Sequence, residues 1–77
     1  MNQTISKAFS HLVKTLTSAY DTGEAESIAN ILFEDLLKIS RTIRLVDSEK
    51  SLSALELEQL ENATKRLLNY EPVQHIV

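Results

Sequence analysis

Apolar residues recur along this chain at helical spacing, in stretches separated by turn-forming residues. Ile5, Ala8, Phe9, Leu12, Val13, Leu16, Ala19 and Tyr20 follow the 3-4-3-4 rhythm of one helix face. Ser6, Lys7, Ser10, Lys14, Thr17 and Ser18 fall mainly on the other side. Thr4 and Asn2 are the N-cap candidates, and Asp21-Thr22-Gly23 ends the helix near Tyr20 by turn chemistry. A second helix is predicted from Gly23 or Glu24 to Lys38, with Glu24 and Glu26 in its first turn and Lys38 in its last, as the helix dipole prefers. Ala25, Ile28, Ala29, Leu32, Leu36 and Ile39 form its stripe. Ile31, Phe33 and Leu37 widen that stripe, which makes this the central helix.

Ser40 N-caps a short third helix, Arg41 to Val46, with Ile43 and Val46 predicted inward and Leu45 partly covered. Asp47-Ser48-Glu49-Lys50 is a polar connection. Ser53-Ala54-Leu55-Glu56 matches a capping box, and the long helix it opens runs to about Asn69. Leu57, Leu60, Ala63, Thr64, Leu67 and Leu68 face inward, with Leu52 and Leu55 anchoring the start. Pro72 stops the pattern and starts a further short turn at its N1 position, with Val73 and Ile76 tucked under the bundle. The predicted fold is all-α: a bundle of four to five helices forming one domain over residues 1–77.

Composition agrees. Gly and Pro occur once each in 77 residues, as Gly23 and Pro72, which favours helices. With 43% hydrophobic and 25% charged residues the chain has a globular composition, not a disordered one. A domain this small has a stability of a few kcal/mol. The net charge of −3 argues against nucleic acid as a direct partner. No apolar run is long enough to span a membrane, and the opening residues contain no signal-peptide pattern. Absent cysteine removes disulfides and thiolate metal sites, which fits a cytoplasmic protein.

The residues present suggest no catalytic, cofactor-binding or metal site. His11 and His75 have no Cys, His or carboxylate partners at metal-ligand spacing and no nucleophile arrangement. His11 reads as solvated or capping, and His75 as partly packed. Glu24 and Glu26, like Glu56, Glu58 and Glu61, sit at helix starts or on exposed faces, where solubility and the dipole explain them. No glycine-rich loop is present to cradle a phosphate. Lys38, Arg41 and Arg44 cluster around the third helix with Lys50 nearby. A helix-turn-helix reading of that cluster is weakened by the acidic total and by the absence of aromatics between Lys38 and Lys50. The cluster is a candidate partner-binding patch for an acidic protein surface.

The final apolar stretch, Val73-Gln74-His75-Ile76-Val77, has no polar tail after it, so the chain is expected to be the front piece of something longer. Two segments resemble a known family. Thr22 to Ser40 followed by Arg41-Thr42-Ile43-Arg44-Leu45 is similar to the acidic helix, Leu-Ser-Arg-Thr-like junction and short leucine-rich helix of HemK/PrmC proteins. Leu52-Ser53 through Tyr70-Glu71-Pro72-Val73-Gln74-His75-Ile76-Val77 resembles that family's segment leading out of its helical N-terminal domain. The opening Met1-Asn2-Gln3-Thr4-Ile5-Ser6 is also similar. Lys38-Ile39-Ser40 lacks the glycine the family often places before its Leu-Ser, which predicts no tight glycine-type cap there. His75 stands where Tyr is usual.

The family comprises protein-(glutamine-N5) methyltransferases of peptide chain release factors. The resemblance implies a fragment that helps recognise the release factor and is inert alone. A Rossmann-like S-adenosylmethionine-dependent domain would follow it, carrying the cofactor motif and the Asn-Pro-Pro-Tyr motif, neither of which occurs here. Partners implied are the release factor and the chain's own methyltransferase domain, with the fragment monomeric. The rival reading is a free-standing helical interaction or dimerisation module, with Phe33, Leu37 and Ile76 as its sticky surface.

Overall fold

A computed structural model describes residues 3–77. It contains four α-helices: α1 (Ile5–Leu16), α2 (Thr22–Ile31), α3 (Arg41–Val46) and α4 (Ala54–Leu68). A π-helical segment, Leu32–Leu36, continues α2, and a 3₁₀ turn, Val73–His75, follows α4. No β-strand is present among the described residues; Thr4 and Ser51 form one isolated antiparallel bridge. The radius of gyration, 11.5 Å, is that of a compact chain of this length. The helix α1 packs on α2 and α4, the π segment packs on α4, and α3 is peripheral.

The caps are local chemistry. Thr4, Asp21, Ser40 and Ser53 each accept a backbone N–H three residues on, and Glu56 returns a bond to Ser53 N–H at 2.8 Å, completing the capping box. Asn2 lies outside the described residues. The first turn of α1 is also held by the loop before α4: Ile5 N–H donates to Lys50 O and Ser6 N–H to Ser48 O, at 2.8 and 3.0 Å. Two orphan donors of the helix are thereby satisfied.

The regular part of α1 stops at Leu16, four residues short of the sequence expectation. Thr17 and Ser18 turn their hydroxyls onto the carbonyls of Lys14 and Thr15, at 2.6 and 2.9 Å, and compete with helix continuation. Tyr20, beyond the turn, donates its hydroxyl to Leu67 O at 2.8 Å and ties this corner to α4.

The π segment explains the wide apolar stripe. Its broader turn, with Leu37 N–H bonded to Leu32 O, lets consecutive residues point inward: Leu32 and Phe33 are both fully buried. The helix then ends on Lys38 at φ 61°, with Ile39 N–H donating to Phe33 O at 2.8 Å. A tight left-handed cap therefore forms, against the expectation from the missing glycine. Burial of Leu37 and Ile39 on either side holds the backbone there despite the lysine. The second such position, Tyr70 at φ 63°, makes a Schellman motif: Tyr70 N–H bonds Leu67 O and Glu71 N–H bonds Arg66 O. Lys38→Gly is expected to raise stability by about 1 kcal/mol, because the exposed lysine contributes left-handed strain and no packing. A urea midpoint that stays put or falls would contradict the strain.

The core runs through Ile5, Leu12, Leu16, Ile28, Leu32, Phe33, Leu60 and Leu67. Three assignments from the sequence are corrected. Leu55 is exposed, and the start of α4 is anchored instead by buried Leu52 and by Leu57, which packs against the core. Phe33 and Leu37, the proposed sticky surface of the rival reading, are buried. Ile43 and Val46 do not face inward: α3 buries no residue, and Leu45 and Val46 are 76% and 75% exposed. The terminal turn behaves as expected, with Val73 and Ile76 packed against the core, although Pro72 is its cap residue instead of its first.

Candidate functional site

Arg44 occupies the inward side of α3 in place of Ile43 and Val46. Its guanidinium lies 4.4 Å from the Phe9 ring centroid and 5.9 Å from that of Phe33, and donates to Asn30 Oδ1 at 2.5 Å. The two rings meet edge to face, 5.3 Å apart. A flat, weakly hydrated guanidinium covers such a pair well, whereas the compact ammonium of lysine does not. Burial against these rings pushes the Arg44 pKa down, as does Arg41, while Glu34 acts in the opposite sense. The Arg44 Nε–H is buried and has no hydrogen-bond partner among the described residues.

Arg41 and Arg44 line one groove of about 300 Å³ between α1, α2 and α3, together with Phe9, Glu26, Asn30 and Leu45. Lys38 does not line it; it stands exposed at the left-handed cap before Ser40. The predicted patch is thus an arginine pair with a lysine set apart from it, and only Arg41 and Lys38 are exposed. The sequence contains Phe9, Phe33 and Arg44, but nothing local brings residues 35 and 11 positions away together beneath Arg44. Only the aliphatic stem and planar head of arginine hint at an inward role.

A second groove, about 380 Å³, lies between α1 and α4 with Leu12, Leu57 and Leu60 among its lining residues. His11, exposed, and the Glu61–Lys65 pair at 3.4 Å also line it. His75 is exposed and not partly packed; its carbonyl accepts from Arg66 at 3.4 Å. Arg66 also donates through Nε and Nη to Glu71, at 3.1 and 2.9 Å, which holds the Glu71 carboxyl below its ordinary range and raises the Arg66 pKa. No three His, Cys, Asp or Glu side chains among the described residues are grouped to hold a metal ion. No helix among the described residues is long and apolar enough to cross a membrane.

A family model described as the PrmC N-terminal domain matches residues 7–77. The chain belongs to that family. The match covers all four helices except the first residues of α1, and includes α3, the π segment and the terminal turn. No curated protein and no solved structure matches the chain. The packed core of this domain is formed by α1, α2 with its π segment, and α4, and its outward features are the arginine-lined groove, the exposed Leu45 and Val46 of α3 and the α1–α4 groove.

Proposed function

We propose that this domain recognises the protein substrate for a protein-(glutamine-N5) methyltransferase of which it is the N-terminal part. In this reading the complete enzyme transfers the methyl group of S-adenosylmethionine to the Gly-Gly-Gln glutamine of a peptide chain release factor, in the cytoplasm. The family match over residues 7–77 carries the reading. The cofactor belongs to the methyltransferase domain: Gly23, the single glycine here, sits inside α2, and neither groove offers a glycine-rich cradle. The 77-residue chain by itself transfers no methyl group.

The domain contributes orientation. A rigid bundle that grips a large substrate beside the reacting centre reduces the entropy lost on productive encounter. The exposed cations Lys38 and Arg41, beside exposed Leu45 and Val46, give α3 and its approach the mixture of charge and apolar area that protein interfaces use. Calorimetric titration of the chain into a purified release factor tests this. Saturable one-to-one association is expected, weakened by salt and by joint charge reversal at Lys38 and Arg41. Arg44 is left intact because its guanidinium covers Phe9. No association, or unchanged affinity of the reversed variant at low salt, would contradict the reading.

A further inference from the structure

The groove between α1, α2 and α3 is lined by two arginines that form no ion pair among the described residues. Arg41 and Arg44 both line it, yet the ion pairs present are Lys65–Glu61 and Arg66–Glu71, both elsewhere. Glu26 shares the groove without pairing to either arginine, and Glu34 acts on Arg44 through its charge without an ion pair, so neither guanidinium has a direct carboxylate partner among the described residues. Arg44 is fixed from one face by Phe9 and at one Nη by Asn30. Its Nε–H is a buried donor with no acceptor. A cation held this firmly has already lost the rotamer freedom that binding would otherwise cost. Ser6 and Ser10 place hydroxyls along the α1 wall, and Leu45 and Phe9 supply apolar lining.

We propose that this groove is a carboxylate-recognition site, which takes a Glu or Asp side chain of an acidic, partly apolar protein segment between Arg41 and Arg44. Exposed Arg41 supplies the planar, two-pronged match to the carboxylate, and Arg44, with its Nε enclosed and one Nη held by Asn30, adds charge and its remaining Nη–H donors. The neighbouring apolar residue of that segment rests on Leu45, whose exposure of 76% leaves it available. A polyanion is a poorer fit, because a chain of net charge −3 repels a long run of phosphates. Naming the release factor as the source of the segment rests on the reading above; the carboxylate chemistry does not.

The test follows the arginine Nε–Hε signals of the 77-residue chain by NMR. The probe is a blocked tetrapeptide of alternating leucine and glutamate, with a leucine–glutamine peptide and inorganic phosphate as comparators. Saturable shifts at Arg41 and Arg44 with the glutamate peptide alone are expected. Arg41→Gln is expected to weaken that binding about tenfold, by losing one charge-assisted contact, with an unchanged melting temperature. Arg44→Lys, which keeps charge but loses the fork, is expected to weaken it as well. Absent shifts, equal binding of the glutamine peptide, or phosphate binding in place of the peptide would overturn the proposal. Release-factor affinity that survives Arg41→Gln intact would also overturn the groove as docking point, while leaving the release-factor reading standing. Peptide binding without any release-factor binding would do the reverse.

Discussion

Replacing Phe33 with alanine is expected to leave most of the chain unfolded at room temperature. Phe33 is 0% exposed, reaches the core only through the π segment, and supports both the Phe9 ring and the Arg44 guanidinium. Core Phe-to-Ala changes cost about 3–5 kcal/mol, from lost transfer energy plus the cavity left behind. That matches or exceeds the total stability of a few kcal/mol available to a domain of this size. Phe33→Leu keeps most of the volume and is expected to cost about half as much, leaving a folded protein with a lower melting point. Far-ultraviolet circular dichroism with thermal melts separates the cases. A well-folded Phe33→Ala protein whose melting temperature moves by only a few degrees would show that the π segment does not centre the core.

Ending the chain after Glu71 is expected to cost about 2 kcal/mol, since each of Val73 and Ile76 gives up part of the ~2 kcal/mol that full burial of such a side chain provides. The deletion also frees the Arg66 contact to His75 O, though it leaves the Arg66–Glu71 pair in place. That exposed pair contributes little by itself. The double variant Val73→Ser with Ile76→Ser isolates the packing from the chain length and is expected to reproduce most of the loss. Unchanged urea midpoints in both would place the terminal turn outside the cooperative unit.

What could be read from the sequence was local. The caps at Thr4, Ser40 and Ser53 depend on side chains within three residues of the backbone they satisfy, so they were visible in advance. The stripes of α1, α2 and α4 were visible for the same reason. What was hidden depends on partners distant in sequence. A lysine in a left-handed cap contradicts propensity, and only the burial of Leu37 and Ile39 forces it. The pinning of α1 by Ser48 and Lys50 carbonyls leaves no trace in side-chain pattern. For α3, helical periodicity argued for Ile43 and Val46 inside, but a six-residue helix at the edge has room for one inward anchor, and Arg44 over the phenylalanine pair takes it. Of the candidate patch, the grouping of positive charge was legible; the division into a groove-lining arginine pair and a separate Lys38 was not.

That division links stability to recognition. Arg44 serves the fold from one face, and in the proposed reading its other side, with Arg41 and the outward apolar residues of α3, meets the partner. On the proposed reading the domain changes encounter and orientation of the substrate, so its loss belongs in KM more than in the steps after binding. The measurement that tests this most directly is the methylation of a release factor by the complete methyltransferase, with and without residues 1–77. We expect removal to raise KM for the release factor by about tenfold or more, the scale of an interface that contributes roughly 1.4 kcal/mol, while methylation of a short Gly-Gly-Gln peptide keeps its kinetics. Equal KM for the release factor in the two forms would contradict a recognition role for this domain.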